Sequence, residues 1–140
     1  MAVIGKREIL VEWGHCDPAG IVFNPRFFEW FDACTAGLFA VAGLPKPQLL
    51  ERYGILGIPL VETKAKFILP SRFGDTVTIE SRVTTFGRSS FEVEHLLFNQ
   101  GQLAVEGRET RVWVGRHPED PTKIKSQPIP PEIIGLFTHD

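Results

Sequence analysis

The chain has 140 residues, 43% hydrophobic and 23% charged, a length and balance suited to one globular domain with a real core. A formal net charge of -2 and a pI near 6.1 give no global attraction to nucleic acid or to an anionic membrane, so an anionic ligand must be met locally. No run approaches the roughly eighteen apolar residues of a membrane span, and the N-terminal MAVIGKREILVEW lacks a signal peptide's apolar region and cleavage site, so a cytoplasmic location is expected.

In chain order, REILVEW at 7–13 is a short β-branched and apolar run that predicts a first strand ending at Gly14. Asn24 and Pro25 then signal a helix start, Asn as a side-chain cap and Pro as a residue that loses no hydrogen bond in the first turn. The helix should run to about Ala42, stopped by Gly43 with Pro45 beyond. Phe27, Phe31, Cys34, Leu38 and Ala42 form one stripe and Phe28, Thr35 and Phe39 another, so the helix should be largely buried, with Asp32 projecting into apolar surroundings. A short helical segment, PQLLERYG, follows.

Residues 60–69 alternate, with Val61, Thr63, Ala65, Phe67 and Leu69 on one face and Glu62, Lys64 and Lys66 on the other. Further strands are expected at 76–86, 90–99 and 103–116, separated by turns at 73–75, Gly87 and Gln100-Gly101, which together imply an antiparallel meander. A proline-rich stretch leads to PPEIIGLF, a short helical segment on the surface. One strand, one long apolar helix and four antiparallel strands give an α+β layout in which the sheet must curve around the helix.

Cys16 and Cys34 are too few for a disulfide framework and lack zinc-site spacing. The histidines at 15, 95, 117 and 139 are scattered, and no metal is expected. The informative stretch is Cys16-Asp17-Pro18-Ala19-Gly20. On its own Asp17 is a turn residue capping the turn ahead of Pro18. Its position adds something more, because a loop containing Gly20 can fold back and bring the carboxylate near the helix start at Asn24. That first turn offers N–H groups without intrahelical acceptors and the positive end of the macrodipole. A carboxylate facing such donors across the width of a carbonyl group suits acyl transfer.

The string from Asp17 to Phe23, followed by Asn24-Pro25 and an aromatic helix carrying Asp32, resembles the 4-hydroxybenzoyl-CoA thioesterases of the hotdog-fold superfamily. Gly57-Ile58-Pro59, Phe73-Gly74-Asp75 and Arg88-Ser89-Ser90-Phe91 extend the likeness over nearly the whole chain. It departs at Phe23-Asn24, where the founding member carries Trp and Tyr, and at Ile58, where it carries Thr. The resemblance implies a hotdog fold, a long central helix wrapped by a curved antiparallel five-stranded sheet. It implies an acyl-CoA substrate, no cofactor apart from the CoA of that substrate, and a homodimer assembled into a homotetramer with active sites at subunit boundaries. Asp17 would be the catalytic carboxylate, as nucleophile or as general base, and the Asn24 amide would polarise the thioester carbonyl. Asp32 would lie toward the acyl pocket and accept a hydrogen bond from a phenol, with Phe23, Ile58 and Pro59 also binding substrate. Arg88, Ser89 and Ser90 would contact the CoA nucleotide, completed by Arg72 or by a neighbouring subunit.

Other residues have plainer readings. Adjacent residues of an extended segment point apart, so His15 and Cys16 make a poor thiolate pair, and His15 shapes the loop instead. His95 shares a strand face with Phe91, Val93 and Leu97 and reads as a satisfied, half-buried histidine. Glu62, Lys64 and Lys66 read as solvated, as do Glu106, Arg108, Glu109 and Arg111. Trp113 and Phe98 read as core or interface aromatics. An exposed edge strand favours pairing with another copy. Two alternatives stay open: a broad thioesterase for short or aliphatic acyl groups, and a non-catalytic binder of acyl-CoA or acyl-carrier protein.

Overall fold

A computed structural model describes residues 3–138 of the chain, so His139 lies outside the described residues. Strands β1 (Gly5–Leu10), β2 (Leu60–Phe67), β3 (Thr76–Phe86), β4 (Ser90–Asn99) and β5 (Gln102–Val112) form one antiparallel sheet in the order β1-β3-β4-β5-β2. The long helix α1 (Asn24–Val41) packs on it. Two short helices, α2 (Lys46–Tyr53) and α3 (Pro131–Thr138), and a small ribbon of β6 (Val114–Arg116) with β7 (Ile124–Ser126) complete the architecture, the α+β layout expected. No single helix among the described residues is long and apolar enough to cross a membrane.

Strands β3, β4 and β5 form the expected meander. Gln100 and Gly101 link β4 to β5 with φ of 53° and 76°, the positive values whose twist suits a two-residue hairpin. β2 departs from that pattern. It pairs with β5 at the far edge rather than lying beside β3, so the 73–75 turn closes a crossing loop and not a hairpin. As an edge strand β2 is exposed on both of its alternating faces, Ala65 alone being half-buried. β1 ends at Leu10, short of the expected Trp13, because the chain tightens into a 3-10 turn at Trp13–His15.

In α1 the buried residues Phe27, Trp30, Phe31, Cys34, Thr35, Leu38 and Phe39 recur at three- and four-residue steps, so one broad face meets the sheet. The opposite face, including Glu29, Asp32, Gly37 and Val41, is exposed in the single chain, so the burial expected of the helix is confined to one broad face. Each large apolar side chain on the packed face contributes roughly 1.5–3 kcal/mol through its removal from water. The C-terminal segment is less peripheral than expected, since Ile133 and Phe137 of α3 enter the core with Phe39 and Trp113.

A helix side chain packs tightly on the sheet at Gly107, where a Cβ would lie 2.5 Å from Cε2 of Phe31. The Phe31 ring stacks on His95, the β4 residue paired with Gly107, with centroids 4.9 Å apart and planes 6° apart. A side chain at 107 would collide with the Phe31 ring and force it off His95. Gly107→Ala should therefore destabilise the protein by about 1–3 kcal/mol through overpacking, read as a lower midpoint in urea or thermal unfolding.

Candidate active site

The loop ahead of α1 is shaped by backbone pairing. Cys16 and Val22 form an antiparallel bridge, the Asp17 amide donates to the Ile21 carbonyl (3.0 Å), and the Gly20 amide donates to the Asp17 carbonyl (2.9 Å). Gly20 takes φ +79°, the left-handed conformation this reversal needs. A second layer ties the loop to the crossing segment: Val22 N–H donates to Ser71 O (2.9 Å) and Phe73 N–H to Gly20 O (3.1 Å). Asp75 anchors that segment, because its Oδ2 accepts from the Arg72 amide (2.8 Å) and from Asn99 Nδ2 (2.9 Å), bonds that hold its carboxyl below the usual range.

Asp17 is half-buried, and its Oδ1 accepts the Ala19 amide (2.8 Å), the turn-capping bond expected of it. Oδ2 has no partner among the described residues. His15 shapes the loop, as expected: its Nδ1 accepts the Glu12 amide (2.9 Å), its carbonyl accepts the Phe23 amide (2.9 Å), and its ring meets Trp30 edge-on. Cys16 points its thiol back toward the Glu12 carbonyl at 3.6 Å, away from any role with His15.

At the helix start the side-chain cap expected of Asn24 is not made. Phe23 occupies the cap position without a side-chain bond, and Asn24 is already the first helical residue, followed by Pro25. The Arg26 amide turns back to the Phe23 carbonyl (2.9 Å), while the Asn24 amide has no acceptor among the described residues. It therefore stands free at the positive end of the helix, worth roughly half an elementary charge. Asn24 lines a cleft of about 250 Å³ with Ile21, Val22, Phe27 and the 67–71 segment. Phe67 to Ser71 are the wall that sequence reasoning missed. They become neighbours of the loop only because β2 lies at the far edge and the chain crosses back.

Asp32 does not project into apolar surroundings. Its side chain is 69% exposed and bonds Arg111 Nη2 at 2.7 Å. It lies about 12 Å along the helix from Asn24, eight residues at 1.5 Å each, on a separate cleft of about 440 Å³ whose lining includes Lys46, Ile58, Pro59, Leu60 and Arg111. Ile58 is buried, and Pro59 and Phe23 are exposed.

Glu109 and Arg111 are not solvated as expected; they are 2% and 6% exposed. Arg111 grips Glu109 through Nε (3.0 Å) and Nη2 (3.1 Å). Burial would raise the Glu109 carboxyl, but bonds from His95, Arg111 and Thr35 outweigh it and hold it at about 2. His95 is fully buried rather than half-buried, and satisfied: Ser81 Oγ lies 2.6 Å from Nδ1 and Thr35 Oγ1 lies 3.2 Å from Nε2. Since the Thr35 hydroxyl is spent on Glu109 (2.5 Å), Nε2 must carry the proton it presents to both. The Cys34 thiol is pushed up by burial, which keeps it unreactive.

Arg88, Ser89 and Ser90 sit at the β3–β4 turn, where the carbonyls of Ser89 and Arg88 accept the amides of Trp113 and Ile129. That turn is roughly 30 Å, the length of β3, from the Asp17 loop. One chain does not bring the two together.

Residues 11–137 match the profile of the thioesterase-like superfamily. The chain belongs to that superfamily. It is 32% identical over 133 residues to 4-hydroxybenzoyl-CoA thioesterase of Pseudomonas sp. (strain CBS-3), which covers 90% of this chain and 92% of that one. Among solved structures, an Asp-to-Asn mutant of 4-hydroxybenzoyl CoA thioesterase complexed with 4-hydroxybenzoyl CoA superposes with a TM-score of 0.87 at 30% identity, over 98% of this chain and 100% of that one. A gentisyl-coenzyme A thioesterase superposes at 0.79 with 29% identity over 96% and 99%. The thioesterase-like fold here is thus the hotdog fold expected.

Acid should expose the buried carboxylate. Because Glu109 is held at about 2 against an ordinary 4.5, its contribution is present above pH 4.5 and is lost as pH falls toward 2, on the order of 3 kcal/mol. In Glu109→Gln the side chain is already neutral, which leaves the buried guanidinium with the exposed Asp32 as its one remaining carboxylate partner. Urea unfolding of the two proteins should therefore differ by several kcal/mol near neutrality and converge as the solution is acidified.

Proposed function

We propose that the protein hydrolyses aromatic acyl-CoA thioesters of the 4-hydroxybenzoyl-CoA kind to the free acid and CoA. The observation that carries the proposal is the half-buried Asp17 carboxylate with one free oxygen, on a loop pinned beside an unpaired helix-start amide that lines an apolar cleft. The thioesterase-like family and the acyl-CoA activities of its relatives support the same reading.

In this reading the thioester oxygen points at the Asn24 amide, where the helix dipole supports the negative charge that develops. Asp17 Oδ2 attacks the carbonyl carbon, the C–S bond breaks, and CoA leaves as a thiolate that takes a proton from water. Water then splits the mixed anhydride and restores the carboxylate. General-base activation of that water by Asp17 is the other form the chemistry can take, and the related complex with an Asp-to-Asn mutant is in keeping with either. No step calls for a metal or redox cofactor; CoA enters as part of the substrate.

The acyl group needs more than one chain. β2 is an edge strand with an open hydrogen-bonding side and exposed Leu60, Val61 and Phe67. Antiparallel pairing of β2 with the same strand of a second copy sets the Leu60 end of one beside the Phe67 end of the other. The Asn24 cleft of one protomer, with the Asp17 loop beside it, would then face Asp32, Ile58 and Pro59 of the partner subunit, with Phe23 at the rim and Asp32 accepting the phenol. Arg88, Ser89 and Ser90 would reach the CoA nucleotide from a further copy, which makes a homotetramer the expected assembly.

Asp17→Asn should lower kcat on 4-hydroxybenzoyl-CoA by roughly three orders of magnitude or more while calorimetric binding of that ester is retained. An Asn variant turning over at the wild-type rate would sink the proposal. Arg88→Ala should chiefly raise KM, and a loss confined to kcat would remove it from nucleotide binding. Equal wild-type rates on 4-hydroxybenzoyl-CoA, benzoyl-CoA and butyryl-CoA would point to the broad thioesterase instead.

A further inference from the structure

Asp32 is the exposed end of a chain of side chains that runs beneath α1. Ser81 meets His95, His95 and Thr35 both meet Glu109, Glu109 holds Arg111, and Arg111 holds Asp32. Every member before Asp32 is buried; Arg111 reaches the lining of the 440 Å³ cleft, and Asp32 is the one member that stands exposed on it. The guanidinium is fixed from three sides. Nε and Nη2 grip the two Glu109 oxygens, Nη1 donates to the Ile58 carbonyl (3.1 Å), and Nη2 reaches Asp32 Oδ1 (2.7 Å). Asp32 Oδ2 is left with no partner among the described residues.

The charges make the arrangement directional. Glu109 neutralises Arg111 inside the protein, so Asp32 brings a net negative charge to the cleft wall, with one oxygen spent and one on offer. A free surface carboxylate samples several rotamers and hydrates both oxygens. One tied at 2.7 Å to a guanidinium that cannot itself move presents Oδ2 in a single direction. An acceptor fixed in this way favours a ring bearing a hydroxyl over one bearing hydrogen or an ether oxygen. Lys46, which lines the same cleft, is a cation able to face the oxygen of that hydroxyl.

We infer that Arg111, braced by Glu109 from below, is a positioning residue that sets the preference for hydroxylated aromatic acyl groups by orienting Asp32. The inference rests on the proposed hydrolysis and on Asp32 facing the acyl group. It adds that the selectivity resides in the buried chain and not in Asp32 alone.

The test is a double-mutant cycle in the ratio of kcat/KM for 4-hydroxybenzoyl-CoA to that for benzoyl-CoA. Asp32→Asn and Arg111→Gln should each lower the ratio about tenfold, and the double variant should lower it no further, because one acts through the other. Arg111→Lys keeps the charge without the fork and should lie between wild type and Gln; it carries the test where Gln does not fold. A purely structural role would depress both substrates alike and leave the ratio at its wild-type value, which would overturn the inference. Additive losses would overturn it too, since Arg111 would then read the substrate independently. A wild type that hydrolyses both esters equally well overturns this inference and leaves hydrolysis standing, whereas one that hydrolyses neither removes the proposed function itself.

Discussion

The seating of α1 on the sheet at Phe31 and Gly107 is the constraint from which the rest of the molecule follows. The missing Cβ at Gly107 of β5 leaves room for the Phe31 ring, which lies over His95, while the helix backbone itself runs beside β1 at Gly5, where a Cβ would lie 3.4 Å from the Leu38 Cα. Both clefts are then set by one rigid body. The N-terminal end of the helix brings the free Asn24 amide to the loop of Asp17, and two turns further on Asp32 reaches the guanidinium of Arg111. A tilt of the helix would disturb both at once.

Polar groups inside this interface are tolerated because they are satisfied in sequence. Ser81, His95 and Gly107 occupy one row across β3, β4 and β5, and Thr35 descends on that row from the helix. Removing a carboxylate and a guanidinium from water costs several kcal/mol each, and their attraction returns that only with good geometry and full hydrogen bonding. Glu109 and Arg111 have both: two parallel bonds between them, and further donors from Thr35 and His95 on the acid. An apolar pair of similar volume could fill the same space, so stability alone does not explain the retained charge.

Local chemistry made much of this architecture legible. Turn residues marked the β3 to β5 meander, and Asn24-Pro25 and Gly43 marked the ends of α1 to within a residue. The Asp17 loop could be singled out because an acid ahead of a helix start has a chemical meaning. What escaped was long-range. The pairing of β2 with β5 depends on which edge the chain crosses to, and no local pattern records that. Glu109 and Arg111 were legible in principle. Period-two alternation from Val105 through Gly107 to Trp113 places 109 and 111 on the buried face and Glu106 and Arg108 on the other, but their charge suggested solvent. Asp32 sits where the packed face of α1 ends, a boundary that helical spacing alone does not resolve.

Covering the site changes the value of its charges. In the single chain Asp32 is 69% exposed, and an ion pair so open to water is worth about 0–1 kcal/mol. Pairing of two copies along β2 would exclude water from the Asp32 cleft and raise the energy of an unpaired carboxylate there. Arg111 then supplies the hydrogen bond that Asp32 meets inside the covered cleft: it is already buried, already neutralised by Glu109, and needs no rearrangement to hold the acid. The bracing is built in before any partner or substrate arrives, so the work of ordering the cleft is done by folding and not by the binding of the acyl group.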